Sequence, residues 1–280
     1  MSDPSFDLIQ FDATRAGIAI VTLNRPEVHN AFNAELISEL TDVFTMIADQ
    51  PSIRMMILRG EGKSFSAGAD LEWMKLAALN SREDNEADAG RLAEMLQTLY
   101  EMPQMTLALV QGAAMGGGAG LVAACDVAIA MNEATFRFSE VRLGLTPATI
   151  SPFVIDAIGP RWARALFVTA ESFDAAYAEK IGLVQYVAQS ADEMAELEEH
   201  LAKLVFAAAP GDGTNGCAAG TTRLAWNVGQ LAGGASAVLP YTVTVAPTAV
   251  GGDTYTNSAT LTGGTLQTGS PTPDPTEIGR

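Results

Sequence analysis

The chain has 280 residues, enough for one large domain or two small ones with a buried core. Its net charge of -17 and pI of about 4.4 argue against nucleic acid or an anionic membrane surface as a partner, because both require a basic surface. Two cysteines and two histidines indicate neither a disulfide framework, a metal site nor a Ser/His/Asp triad. No secretion signal and no apolar run of about 18 residues is found, so we expect a cytoplasmic protein without a membrane span.

Short apolar runs alternate with amphipathic segments in the first half of the chain. The apolar runs predict strands at residues 18–23, 55–58, 107–110 and 127–130. Asn33 is predicted to cap a helix with one apolar face, formed by Leu36, Ile37, Leu40 and Phe44. Three more helices are predicted, at residues 71–75, at 81–102 and from near 119 onwards. This repeated order of strands and helices predicts an α/β protein.

Two loops of small residues each follow a predicted strand and precede a predicted helix. They are Ser64 to Asp70 and Gly112 to Gly118. Because bulky side chains are missing, the backbone N–H groups of both loops can approach one ligand oxygen, which is the requirement of an oxyanion hole. An acidic residue, Glu140, follows downstream of the second loop.

The composition changes after about Pro210. Residues 211–280 hold 13 of the 26 glycines and only six charged residues, and runs such as Tyr241 to Val245 alternate as β-strands do. Part of this segment resembles the second half of an Ig-like repeat of bacterial surface proteins. We therefore predict a core at 1–210 and a short all-β segment at 211–280, either an incomplete Ig-like repeat or an appended tail.

Three sequence blocks together resemble a known family. Ser66 to Leu71, Gly116 to Gly118 and Ser139 to Val141 occur in the order and approximate spacing of the signature blocks of the crotonase (enoyl-CoA hydratase/isomerase) family. The similarity extends from about residue 18 to about 210. It implies a spiral of strand-strand-helix units and a homo-trimer or dimer of trimers. Members of the family normally continue with further helices, and none is predicted after residue 210.

The resemblance also implies a site and a substrate. The backbone N–H groups of Ala69 and Gly117 would hold the enolate oxygen of an acyl-CoA thioester, and Glu140 would transfer the proton. No cofactor is implied, since coenzyme A is part of the substrate. The substrate-binding residues implied are Ala31, Ala67, Gly68, Asp70, Leu71 and Gly120, while Arg25 and Lys63 are candidates for contact with the anionic coenzyme.

Three functions remain open at this point. The usual hydratase carries a second glutamate where this chain has Gly120. A single carboxylate suits a double-bond isomerase, which shuttles one proton between carbons. However, the segments Ala69 to Lys75 and Ser139 to Leu145 resemble methylglutaconyl-CoA hydratases of leucine degradation, which also lack the second glutamate and act on branched, carboxylated esters. The third alternative is a catalytically impaired fusion with an adhesion or display role.

Overall fold

The predicted α/β class is confirmed for residues 6–207, the part of the chain that the computed structural model describes. The strands are β1 (Ile9–Asp12), β2 (Ile18–Leu23), β3 (Met55–Gly60), β4 (Met105–Val110), β5 (Ala113–Met115), β6 (Val127–Met131), β7 (Thr135–Arg137), β8 (Phe173–Asp174) and β9 (Tyr186–Ala188). The α-helices are α1 (Ala34–Ala48), α2 (Leu71–Ala77), α3 (Arg82–Tyr100), α4 (Gly117–Ala124), α5 (Ser151–Thr169), α6 (Ala175–Ile181) and α7 (Ala191–Ala207). The predicted segment 211–280, and with it the Ig-like resemblance and the display alternative, lies outside the described residues.

A six-stranded sheet forms the centre of this part of the chain. Its order is β1-β2-β3-β4-β6-β9, with β1 antiparallel to β2 and the other neighbours parallel. Both faces are covered, as is usual for parallel sheets. In β2, Ala19 and Val21 belong to a core with α1, α3 and α4, whereas Ile18 and Ile20 pack on the side where α7 contributes Leu201.

A second, three-stranded sheet lies next to the two loops of small residues. β5 is parallel to β7, and β7 is antiparallel to β8. Isolated bridges join Ser66 to Ala114 and Phe32 to Ala69, so the first loop runs beside β5. These strands of two or three residues show no period long enough for a prediction from sequence. The small sheet thereby brings both loops together.

The predicted helix and strand ends are mostly close to those observed. Asn33 caps α1 as predicted, since its side chain accepts a hydrogen bond from the Leu36 N–H at 2.9 Å. α4 begins at Gly117, earlier than the predicted start near Ala119, because Gly116 has φ +50° and turns the chain directly into the helix. β3 continues beyond the predicted residue 58 to Gly60.

Candidate active site

In the first loop, the backbone N–H of Ala69 lies between neighbours that are paired. Phe32 lies beside the loop: its N–H donates to the Gly68 carbonyl at 2.7 Å, and its carbonyl accepts from the Asp70 N–H at 2.8 Å. The N–H of Ala69, between these two residues, donates no hydrogen bond within residues 6–207. This N–H is therefore available to a ligand.

The second loop offers a similar donor at the start of α4. The Gly116 N–H donates to the Arg137 carbonyl at 2.8 Å, and the Gly116 carbonyl accepts from the Gly120 N–H at 3.0 Å. Gly117 is the first residue of α4, so its N–H lacks a partner in the helix, and the rest of the described chain supplies none. The positive end of the helix dipole favours negative charge at this point.

The two loops meet at Gly68. Its φ of +82° is a conformation that favours glycine. A Cβ atom at this position would lie 2.6 Å from the Met115 carbonyl oxygen and 3.3 Å from the Gly117 nitrogen. Gly68 directly precedes Ala69, so the free N–H groups of Ala69 and Gly117 are close neighbours. Two such donors can share one developing oxyanion.

Glu140 adjoins the second loop. It begins the 3-10 helix Glu140–Leu143, and a Cβ atom at Gly116 would lie 3.2 Å from its Oε1 atom. Its Oε2 atom is buried and has no hydrogen-bond partner in the described chain. Desolvation by burial raises the pKa of Glu140, while its own backbone N–H acts in the opposite direction. A carboxyl group with a raised pKa and a free oxygen is suited to proton transfer.

Asp70, predicted to bind substrate, is engaged by the protein. One carboxylate oxygen accepts from the Glu72 N–H at 2.9 Å and so caps α2, and the other pairs with Arg25 at 3.2 Å. Burial acts to raise the pKa of Asp70, but the hydrogen bonds from Glu72 and Arg25 outweigh it and lower the pKa. Arg25 also donates to the carbonyl of Ala31. Arg25 therefore holds the end of the first loop, and its contact with the coenzyme stays a prediction.

The other predicted contacts differ in their accessibility. Leu71 is 64% exposed and Lys63 is also exposed, so both are open to a ligand. Ala67 is exposed, but its N–H donates to the His29 carbonyl at 2.9 Å, which leaves its carbonyl for any substrate contact. The Asp70 N–H donates to the Phe32 carbonyl at 2.8 Å, and the Asp70 carbonyl accepts from the Met74 N–H at 2.9 Å, so both backbone groups of Asp70 are engaged. The roles of these residues in binding coenzyme A stay predictions.

Gly120 has a packing contact that the sequence did not reveal. It is buried in α4, and a Cβ atom there would lie 2.5 Å from Cγ2 and 3.0 Å from Cβ of Ile150. Gly116 and Gly120 are four residues apart and therefore lie on the same face of the helix. Glu140 adjoins this face at Gly116, and Ile150 covers it one turn later, at Gly120. Gly120 thus makes room for Ile150, and its assignment to the substrate pocket stays a prediction.

Sequence reasoning also missed Arg137. Its carbonyl holds the Gly116 N–H, and its Nε atom is buried without a hydrogen-bond partner in the described chain. Guanidinium groups bind carboxylates well.

Away from the loops, the carboxylates of Asp7, Glu35 and Glu39 lie within 4.8 Å of one another, but Glu39 already accepts from the N–H groups of Asp7 and Leu8. Within residues 6–207, none of the helices has the length and hydropathy needed to cross a bilayer.

Comparison with known proteins identifies the family of this chain. Residues 13–210 match the sequence profile of the enoyl-CoA hydratase/isomerase family. A crotonyl-CoA hydratase of Syntrophomonas wolfei is 36% identical over 186 residues, which cover 65% of this chain and 70% of that protein. An enoyl-CoA hydratase of Alternaria alternata is 34% identical over 200 residues, which cover 70% of this chain and 64% of that protein.

The solved structures show the same fold. The crystal structure of an enoyl-CoA hydratase from Shewanella pealeana has a TM-score of 0.69 and 38% identity to this chain, covering 72% of this chain and 74% of the other. An enoyl-CoA hydratase from Mycobacterium smegmatis gives a TM-score of 0.67 at 32% identity, covering 71% of this chain and 77% of that one. The predicted crotonase-like spiral is therefore confirmed, and the chain belongs to the enoyl-CoA hydratase/isomerase family of enzymes.

Proposed function

We propose that this chain is a hydratase that adds water to the double bond of an α,β-unsaturated acyl-CoA. The observation that carries the proposal is the buried Oε2 atom of Glu140 beside two backbone N–H groups, none of which has a hydrogen-bond partner within residues 6–207. The names of the similar proteins from Syntrophomonas wolfei and Shewanella pealeana, a crotonyl-CoA hydratase and an enoyl-CoA hydratase, support the same reaction.

The reaction uses Glu140 as both base and acid. Its carboxylate takes a proton from water as the water oxygen bonds to C3, and the electrons of the double bond move to the thioester oxygen. The N–H groups of Ala69 and Gly117 stabilise the resulting enolate, where the loss of one donor typically costs about 10²- to 10³-fold in rate. Protonated Glu140 then returns a proton to C2, and the carbonyl reforms. A positioned proton-transfer group of this kind contributes roughly 10²- to 10⁴-fold.

For the substrate we propose a branched ester with a second carboxylate, of the methylglutaconyl-CoA type. The sequence around Ala69 and Glu140 motivates this choice. Arg137 supports it, because its buried Nε atom lacks a partner and it forms no ion pair among residues 6–207. A substrate carboxylate would supply the missing partner. A role in leucine degradation, a trimeric assembly and a cytoplasmic location stay predictions.

The isomerase alternative is favoured by one observation. α4 itself carries no carboxylate, since residue 120 is a glycine packed against Ile150, and Glu140 is the carboxylate that adjoins the second loop, at Gly116. One carboxylate suffices to move a proton from one carbon to another. An isomerase would leave the mass of the substrate unchanged, whereas a hydratase adds one molecule of water.

The products of two esters distinguish these functions. Crotonyl-CoA and 3-methylglutaconyl-CoA are each incubated with the full chain, and the loss of the conjugated thioester absorbance is followed with mass analysis of the product. A hydratase yields the 3-hydroxyacyl ester, and the proposed specificity gives the carboxylated ester the higher kcat/KM. A product of unchanged mass with a shifted double bond supports the isomerase, and a lower kcat/KM for the carboxylated ester contradicts the substrate proposal.

A further inference from the structure

Ser66 connects the two loops through its backbone. Its N–H donates to the Ala113 carbonyl at 3.0 Å, and its carbonyl accepts from the Met115 N–H at 2.9 Å. Ser66 therefore forms an isolated parallel bridge with Ala114 of β5. Because Met115 leads directly into the turn at Gly116, the backbone of Ser66 fixes the position of this turn within the second loop.

The hydroxyl group of Ser66 holds the first loop. It donates to the Asn30 carbonyl at 2.8 Å and accepts from the Gly68 N–H at 3.2 Å. Ser66 is fully buried, and a Cβ atom at Gly118 would lie 2.8 Å from its Cβ atom and 3.0 Å from its Oγ atom. The hydroxyl thus has both a donor and an acceptor role inside the protein, so it is placed to orient the loops.

Asn30 gives this hydroxyl a fixed partner. The residue is fully buried with φ +54°, and its Oδ1 atom accepts from the Arg25 N–H at 2.8 Å. Its Nδ2 atom donates to the carbonyls of Glu61 and Ser64, both at 2.9 Å. A residue held by this many partners moves little, and a buried network of this kind is rigid when every member is paired.

We propose that Ser66 is a positioning residue that sets the separation between the N–H groups of Ala69 and Gly117. The proposal rests on the proposed function, since it assigns a role in the same oxyanion hole. Ala69 follows Gly68, which the Ser66 hydroxyl holds, and Gly117 lies two residues after Met115, which the Ser66 carbonyl holds. Loss of the hydroxyl leaves two buried groups unpaired, so the first loop relaxes and its donor shifts. A misplacement of about 1 Å at a reacting centre costs roughly 10²-fold in rate.

The test compares Ser66→Ala and Ser66→Cys with Ser64→Ala in the full chain. Ser64 is a matched control, because it is a buried serine of the same loop whose hydroxyl contacts the His29 side chain at 3.1 Å instead of the loop backbone. Two readouts are measured, namely kcat and KM with crotonyl-CoA, and the absorbance maximum of bound dimethylaminocinnamoyl-CoA. The absorbance of this chromophoric thioester moves to longer wavelength when hydrogen bonds polarise its carbonyl.

Ser66→Ala is expected to lower kcat at least about tenfold with KM within about threefold, and to lose much of the absorbance shift. Ser66→Cys keeps a weak donor and acceptor, so its kcat and its absorbance shift should lie between those of the parent and of Ser66→Ala. If the alanine variant does not fold, the cysteine variant provides the test. Ser64→Ala keeps the parent values. Equal kcat and equal absorbance shift in the parent and the folded Ser66 variants would overturn the proposal.

Failure of the proposed function gives a different result. If the parent hydrates none of the esters but still shifts the absorbance of the bound thioester, the hydratase function is wrong. The absorbance of the Ser66 variants then still tests the positioning role. If the bound thioester shows no shift in the parent, there is no oxyanion hole for Ser66 to position, and the proposal is overturned with it.

Discussion

Replacing Gly120 by alanine places a methyl group where Ile150 already lies. The new Cβ atom would be 2.5 Å from Ile150 Cγ2, closer than non-bonded carbon atoms in proteins approach, and 3.0 Å from Ile150 Cβ, a tight contact, while Leu96 is 3.9 Å away. Since Ile150 is only 1% exposed, it has no solvent side to move into. Overpacking of this kind costs about 1–3 kcal/mol.

A helix-propensity term opposes this cost. Gly120 lies inside α4, where alanine is favoured over glycine by roughly 0.8–1.0 kcal/mol. The two terms leave a net destabilisation of about 1 kcal/mol. Gly90→Ala in α3 is the matched control, because a Cβ atom there meets nothing within 4 Å. This control keeps only the propensity term, so it is expected to stabilise the protein by up to about 1 kcal/mol.

Equilibrium urea denaturation of both variants measures this difference in the free energy of unfolding. Ile150→Ala is added to complete a double-mutant cycle: alone it costs about 2–5 kcal/mol, and combined with Gly120→Ala the two changes compensate by about 1 kcal/mol, because the new methyl group enters the vacated space. Equal stabilities of the Gly120 and Gly90 variants, or additive effects in the cycle, would refute the packing contact. A confirmed contact also means that Gly120→Glu displaces Ile150 before it adds a catalytic carboxylate.

Two further predictions concern the charged groups of the site. Arg137→Gln is expected to lower kcat/KM for 3-methylglutaconyl-CoA by about 10- to 100-fold, because a hydrogen bond to a charged group contributes about 1.5–3 kcal/mol. The kcat/KM for crotonyl-CoA, which has no second carboxylate, should fall by less than about threefold. Equal losses for both esters would contradict substrate recognition by Arg137. Burial raises the pKa of Glu140 in the native state above its unfolded value of about 4.3. Between the unfolded and the native pKa the native state holds the proton and the unfolded state does not, so the free energy of unfolding falls as pH rises. Glu140→Gln removes this ionisation, so in thermal unfolding it is more stable than the parent above that window and converges with it below about pH 4; parallel profiles would show that Glu140 is not desolvated.

The sequence was sufficient to propose the reacting groups, whose roles stay predictions. Ser64 to Asp70 and Gly112 to Gly118 were recognisable because both combine small residues with a preceding apolar run, and Glu140 because it lies in a block typical of the family. The four central strands of the large sheet were predictable because they contain continuous apolar runs, such as residues 55–58, which are buried on both faces.

The contacts that hold the site were not predictable in this way. Ser66 and Asn30 act through hydrogen bonds between residues 36 positions apart, and no local pattern marks such a pair. The contact between Gly120 and Ile150 likewise depends on how α4 meets the start of α5. Arg25 was a candidate for contact with the coenzyme, and nothing in the sequence marked its pairing with Asp70, which is 45 positions away. Long-range partners of this kind become visible only once the chain is folded.

The most direct test of the account is the initial rate of crotonyl-CoA hydration by the parent and by Glu140→Gln, measured as the loss of the conjugated thioester absorbance. The amide keeps the size of the side chain but cannot accept the water proton, so kcat should fall at least about 10²-fold while the dissociation constant of a bound CoA ester stays within about threefold. A Glu140→Gln variant with activity within threefold of the parent would contradict the assignment of Glu140 as the proton-transfer group.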